Sequence, residues 1–138
     1  MTPAVFERHL LEPIRTVFDG VRTLGRPTIY FSTGSSHLLE LLARTGADAL
    51  GVDWREPLGH VRARIGRGMA LQGNLDPGAL LGTSDTVRRE ARRVLDEVPD
   101  GQAHVFNLGH GVLPATDPDR VQELVEYVHT AGGGARSR

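Results

Sequence analysis

Apolar residues follow two alternating patterns along this chain. One has steps of three and four residues, which is typical of an amphipathic helix, and the other is a short continuous apolar run, which is typical of a buried strand. The helical pattern comes first and runs from Pro3 to Val21, after Thr2, a typical N-cap residue. Pro13 lies inside this pattern and predicts a kink or a break into two helices.

Four short apolar runs follow, each with a helical segment after it. The predicted strands are residues 28–32, 47–52, 68–72 and 104–108, and the predicted helices are residues 37–44, 57–65, 84–98 and 116 onward. Such alternation indicates a parallel sheet covered by helices. The sequence therefore predicts an α/β fold with an N-terminal helix followed by four βα units. Two architectures fit: a small open doubly wound sheet, and part of a β/α barrel, which contains eight such units in about 250 residues.

Each predicted strand ends in polar residues or glycine. The four sets are Ser32-Thr33-Gly34, Asp53-Trp54, Asn74 with Asp76, and Asn107 with His110. In β/α folds, the loops at the carboxyl ends of the strands form the ligand-binding face. Four polar strand ends in a row favour the barrel and predict one wall of a site.

His110 is the most prominent of these candidates because Gly109 and Gly111 flank it. Glycines there permit a sharp turn and the close approach of a ligand. The alternative is a loop histidine without a ligand. Asn74 and Asp76 also have two interpretations: they bind a substrate, or they hold neighbouring loops together through backbone N–H groups.

Composition limits the classes of function. Sixteen basic and seventeen acidic residues give a net charge of −1, which does not favour a nucleic-acid or membrane-surface partner. The chain has no cysteine and no His-x-x-x-His pattern, so we expect no metal site. It also has no apolar run near the roughly 18 residues of a membrane span and no signal-peptide pattern. A cytoplasmic protein is predicted.

Two paired motifs resemble the C-terminal part of the uroporphyrinogen decarboxylase family. They are LQGNLDP at residues 71–77 and NLGHGVLP at residues 107–114, and their order and spacing both agree with the family. The motifs IYFSTG at residues 29–34 and GVDW at residues 51–54 extend the resemblance, which covers residues 2–129.

The resemblance implies the C-terminal half of a TIM-type (β/α)8 barrel over residues 1–131, and the polar, glycine-rich composition of residues 132–138 predicts a flexible tail. It implies an enzyme that removes carbon dioxide from the four acetate side chains of uroporphyrinogen III, giving coproporphyrinogen III in haem biosynthesis, with no metal or organic cofactor. A protonated pyrrole ring then serves as its own electron sink, so that the enzyme places protons and stabilises charge. His110 would contact the substrate, with Asn74 and Asp76 as further substrate-binding candidates on the next strand.

The family's N-terminal half has no counterpart here, including its arginine-rich segment and the aspartate that binds the pyrrole N–H groups. No catalytic residue is therefore assigned within this chain. A half barrel has two open strand edges and an uncovered inner face. We expect little activity from the chain alone, and either a homo-oligomer or pairing with a missing N-terminal half. The alternatives are a related corrinoid or thiol methyltransferase, disfavoured by the lack of cysteine, and a non-catalytic half-barrel interaction domain.

Overall fold

The computed structural model describes residues 1–99 and 101–132, which form one parallel sheet with a layer of helices. The strands are β1 (Ile29–Phe31), β2 (Ala49–Gly51), β3 (Ala70–Gln72) and β4 (His104–Val105), and they pair in the order β1-β2-β3-β4. In this register Phe31, Gly51, Gln72 and Val105 lie side by side across the sheet. The predicted alternation of strands and helices and the predicted parallel pairing are confirmed.

The helices follow the predicted segments with shifted boundaries. They are α1 (Pro3–His9), α2 (Leu11–Arg22), α3 (Leu39–Leu42), α4 (Leu58–Ile65), α5 (Ser84–Asp96) and α6 (Pro118–Gly132), with 3-10 turns at Ser36–Leu38 and Pro77–Leu81. The N-terminal helix is divided as expected, but the break is at Leu10 rather than at Pro13. Pro13 is tolerated because it lies in the first turn of α2, where a backbone N–H has no partner within the helix.

The helices cover one face of the sheet and leave the other open. Leu50 and Leu71 point to the covered face and are only 1% and 2% exposed. Side chains alternate between faces along a strand, so Phe31 and Val105 point the opposite way, and they are 45% and 48% exposed. The prediction that residues 28–32 form a buried strand was therefore wrong about burial. Among the described residues, β1 is an edge strand with one open face.

The helical layer extends past both edges of the sheet. At the β1 edge, the Phe18 ring of α2 lies edge-on to the Tyr30 ring of β1, with 6.1 Å between their centroids. At the β4 edge, α6 packs along α5, where Arg88 and Glu123 form an ion pair at 2.8 Å. In a right-handed crossover, each helix packs beside the strand that precedes it in the chain. Because α6 follows β4, it lies beyond the β4 edge of the sheet.

Among the described residues, no helix is long and apolar enough to cross a membrane. The cytoplasmic location and the division into residues 1–131 and a tail stay predictions. Residues 133–138, most of the predicted tail, lie outside the described residues.

Candidate functional site

A hollow of about 370 Å³ lies on the open face, at the carboxyl ends of the strands. Its lining includes the last residues of β1, β2 and β3 together with the loop after β4, and the residues are Phe31, Gly51, Val52, Gln72, Asn107, Leu108, His110, Gly111 and Val112. The ends of the strands thus meet around one concave surface, but of the polar strand-end residues that the sequence indicated, only Asn107 and His110 line it, and Ser32-Thr33-Gly34 lines neither this hollow nor the next.

A second hollow of about 300 Å³ adjoins His110 on its other side. It is formed by three of the loops that follow strands, and its lining residues are Trp54, Arg55, Asp76, Pro77, Gly78, His110 and Leu113. His110 lines both hollows and its side chain is exposed. It is the only predicted site residue in contact with both.

The backbone of the loop after β4 fixes the position of His110. Gly109 N–H donates to Leu75 O at 2.8 Å, so the parallel pairing continues past β4. A Cβ atom on Gly109 would lie 2.3 Å from Trp54 N. Glycine is therefore needed at position 109 because the protein's own backbone approaches it closely, and not because a ligand does.

Hydrogen bonding also selects the tautomer of His110. Gly111 N–H donates to His110 Nδ1 at 2.7 Å, so Nδ1 is the acceptor and the neutral ring carries its proton on Nε2. The Nε2–H group can then donate a hydrogen bond to a carboxylate in the hollow. This is the chemistry that His110 offers at the open face.

Asn74 lies beneath the site rather than in its wall. Its side chain is 1% exposed, and its Nδ2 donates to Asp53 O at 3.1 Å and to Glu56 O at 2.5 Å. The amide thus joins the end of β3 to the loop between β2 and α4. Asn74 thus holds loops together, but through the carbonyl groups of Asp53 and Glu56 rather than through the backbone N–H groups that were expected. Substrate binding by Asn74 stays a prediction.

Asp76 has contacts of both kinds. Its Oδ1 accepts from Gly78 N–H at 2.8 Å, which caps the 3-10 turn that starts at Pro77. Its side chain also lines the second hollow together with His110. A role for Asp76 in binding substrate stays a prediction.

Asp53 accepts the hydrogen bonds that hold the loop after β2 in place. Its position at a strand end did not predict this role. It is 4% exposed and accepts hydrogen bonds from Gly34 N–H at 2.8 Å and from Arg55 N–H at 3.0 Å. The Arg55 guanidinium donates to both carboxylate oxygens at 2.9 and 3.0 Å. Burial by itself favours the neutral carboxyl group, but these hydrogen bonds and the charge of Arg55 outweigh it and lower the pKa of Asp53.

Arg55 was not singled out by the sequence analysis, although it lines the second hollow. Its guanidinium carbon lies 4.5 Å from the centroid of the Trp54 ring, a cation–π contact. The spacing of an acidic residue and an arginine two positions later, directly after a strand, is the local signal that was available. Asp53, Trp54 and Arg55 therefore form one connected corner of the site.

His104 links β4 to β3 on the helix-covered side. Its Nε2 lies 2.7 Å from Gly73 O. Burial lowers the pKa of His104 and the charge of Arg62 lowers it further, while the hydrogen bond to Gly73 acts in the opposite direction. The neutral ring, with its proton on Nε2, is the form that the fold favours.

We expect His104 to make the protein less stable in mild acid. A histidine whose pKa is lower in the folded state contributes stability above its unfolded pKa of about 6.5, and this stability is lost as the pH falls through the folded value. His104→Gln should therefore reduce the loss of unfolding free energy between pH 7 and pH 5, measured by urea denaturation. The matched control is His9→Gln, at an exposed position on α1, and the slopes of the two variants are compared. An unaltered slope in His104→Gln would contradict the assignment.

The architecture places the chain in a known class of folds. A solved structure of a methyltransferase from Methanosarcina mazei matches with a TM-score of 0.82 at 24% identity, covering 96% of this chain and 38% of that one. This likeness shows the fold alone. The described residues are part of a TIM-type β/α barrel, with the candidate site at the carboxyl ends of the strands.

Sequence comparison then gives the family. The protein-family model named Uroporphyrinogen decarboxylase (URO-D) matches residues 1–131 of this chain. Uroporphyrinogen decarboxylase of Streptomyces coelicolor is 51% identical over 130 residues, and that of Neisseria meningitidis serogroup C is 43% identical over 133 residues; each match covers 94% of this chain. The chain belongs to the uroporphyrinogen decarboxylase family. It spans 37% of the length of the Streptomyces coelicolor relative.

Proposed function

We propose that this chain forms part of a uroporphyrinogen decarboxylase. The whole enzyme would remove the four acetate carboxyl groups of uroporphyrinogen III to give coproporphyrinogen III, without a metal or organic cofactor. The observation that carries the proposal is the family match over residues 1–131. The position of His110 between two hollows at the strand ends supports it.

The reaction requires that protons be delivered to defined atoms of the substrate and that the charges of its carboxylates be stabilised. Protonation of a pyrrole carbon lets the ring accept the electron pair of the breaking carbon–carbon bond, and carbon dioxide leaves. A proton then adds to the resulting methylene carbon, and the ring releases the proton that it first took up, so that one proton is consumed for each carbon dioxide released. In this proposal His110 donates its Nε2–H to a substrate carboxylate and thereby orients the side chain to be cleaved. The apolar wall that includes Phe31 and Val112 packs against the rings of the tetrapyrrole.

The proposal assigns no proton donor to this chain. Most of the length of the Streptomyces coelicolor relative lies outside the match, and we propose that the remaining functional groups come from that part. The chain by itself is then expected to bind the substrate weakly and to turn it over slowly or not at all.

Complementation tests the proposal. The chain would be mixed with the N-terminal remainder of the Streptomyces coelicolor relative, and coproporphyrinogen would be measured after oxidation to the fluorescent porphyrin. We expect activity from the mixture and little from either part. His110→Ala should lower the activity of the mixture by about tenfold, as expected for the loss of one hydrogen bond to a charged group. His129→Ala, at an exposed position on α6, is the matched control.

Two results would contradict the proposal. If the two parts form a complex that makes no coproporphyrinogen, the non-catalytic half-barrel interpretation replaces it. If the chain alone is as active as the whole relative, the supposed division of functional groups between the two parts is wrong.

A further inference from the structure

Arg55 is an exposed cation beside the candidate site that the proposed reaction does not use. Its side chain is 56% exposed, while the side chain of Asp53, with which it forms an ion pair, is 4% exposed. Arg55 lines the second hollow together with His110. An arginine that is paired on one side and borders a hollow on the other is a candidate for binding an anionic ligand.

The guanidinium of Arg55 is held from two directions and keeps one edge free. Nη1 donates to both carboxylate oxygens of Asp53, and the guanidinium carbon lies 4.5 Å from the centroid of the Trp54 ring. Among the described residues, Nε and Nη2 of Arg55 make no hydrogen bond. The N–H groups on these two atoms lie in one plane, the geometry that binds a carboxylate through two parallel hydrogen bonds. Because the group is already held, it loses little conformational freedom when it binds.

The rest of the second hollow suits a single carboxylate on a short apolar stem. Trp54, Pro77 and Leu113 supply apolar walls, which pack well against methylene groups. Asp76 lies in the same lining, and its carboxylate repels a second anion. The volume of about 300 Å³ is small, so the hollow accepts a side chain of a larger ligand whose body lies outside it.

A stem of this kind occurs on every ring of the proposed substrate. Each pyrrole of uroporphyrinogen III carries an acetate and a propionate on neighbouring carbon atoms, and only the acetate is cleaved. His110 borders both hollows, so a ring whose acetate carboxylate meets His110 has its propionate nearby. We propose that Arg55 binds the propionate carboxylate of that ring in the second hollow. The identity of this ligand rests on the proposed function.

The role of Arg55 then differs from that of His110, because the propionate survives the reaction. Arg55 holds the same group before and after carbon dioxide leaves, and it therefore contributes equally to the binding of substrate and product. Coproporphyrinogen III keeps the propionates and has methyl groups in place of the acetates. Arg55 should thus matter for both porphyrinogens, whereas His110 should matter more for uroporphyrinogen III.

An NMR titration of this chain with each porphyrinogen, in the absence of oxygen, tests the subsite. Trp54 is the only tryptophan in the sequence, so its indole N–H gives one signal that reports on the second hollow. Arg55→Met should raise the dissociation constants of both porphyrinogens at least tenfold, because a hydrogen-bonded charge pair is lost. Arg55→Lys keeps the charge without the planar fork and should raise both by a smaller factor. His110→Ala should weaken the binding of uroporphyrinogen III more than that of coproporphyrinogen III.

The controls separate contact with the ligand from an effect on Asp53. Arg55→Met leaves the buried carboxylate of Asp53 without its counter-charge, which by itself repels an anion. The double variant Asp53→Asn/Arg55→Met removes both charges and should bind as weakly as Arg55→Met. Arg92→Met, which breaks an exposed ion pair with Asp96 on α5, should bind like the parent. Circular dichroism verifies the fold, and Arg55→Lys serves if a methionine variant does not fold.

Parental binding by the double variant or by all of the Arg55 variants would overturn the inference. So would weaker binding of uroporphyrinogen III alone in Arg55→Met, since Arg55 would then contact the acetate. The absence of any shift of the Trp54 signal in the parent chain would overturn it as well. The complementation experiment tests the reaction separately: a mixture that makes no coproporphyrinogen contradicts the proposed function, while the titrations decide the subsite.

Discussion

Gly109→Ala is expected to lower the free energy of unfolding by about 3 kcal/mol, the upper part of the range for an overpacked site. The added Cβ would lie 2.3 Å from Trp54 N and 2.6 Å from Trp54 Cα. These are backbone atoms, so no side-chain rotation can relieve the clash. Relief requires the loop after β4 to move away from the loop after β2, which also stretches the hydrogen bond from Gly109 N–H to Leu75 O.

Gly111→Ala is the matched control two residues away. A Cβ atom there would have no heavy atom within 4 Å, so the unfolding free energy should change by less than about 0.5 kcal/mol, as for ordinary surface substitutions. Urea denaturation of the two variants measures the difference directly. Equal stability of Gly109→Ala and Gly111→Ala would show that the two loops are not in contact in solution.

Asp53→Asn should have the next largest effect, a loss of about 2 kcal/mol in unfolding free energy at pH 7. The carboxylate is surrounded by donors: Gly34 N–H, Arg55 N–H and the Arg55 guanidinium. An amide replaces one acceptor oxygen by a donor, so one N–H group loses its partner and Arg55 loses its counter-charge. Arg55 is then no longer held over the Trp54 ring, and the second hollow loses a fixed wall.

The pH dependence of Asp53→Asn provides an independent readout. A carboxyl group whose pKa is lower in the folded state contributes stability above its unfolded pKa of about 3.9, and that stability is lost as the pH falls through the folded value. The parent protein should therefore lose more stability on acidification below pH 4 than the variant does. Asp96→Asn, which removes an exposed ion pair with Arg92, should show a much smaller effect at pH 7. Equal losses from the two variants would contradict the role of Asp53.

The sequence predicted the order of the elements because apolar patterning is local. Residues 47–52 and 68–72 are short apolar runs, and β2 and β3 form within them. The exposure of β1 could not be predicted in this way, since an apolar run does not tell whether both faces of its strand are covered. The break at Leu10 was also missed, because proline stops a helix only where an N–H bond is required.

The candidate site was predicted in outline and not in detail. His110 could be singled out from its flanking glycines and its position after a strand. The contacts that define the site join distant parts of the chain, as when Asn74 donates to Glu56 O and Gly109 lies against Trp54. No local pattern encodes such contacts. The buried amide of Asn74 and an exposed loop asparagine have the same sequence signature.

The sheet order β1-β2-β3-β4 affects how the polypeptide acquires its structure. Each strand pairs with the next one along the chain, and the buried side chains lie between the sheet and its own helices. Every pairing is parallel and spans a crossover helix, as between Ile29 and Ala49 and between Leu71 and His104, so the sheet forms more slowly than a hairpin of the same size. During synthesis from the N-terminus, the strands become available in the order of the sheet, and the loop that carries His110 is expected to take its shape last.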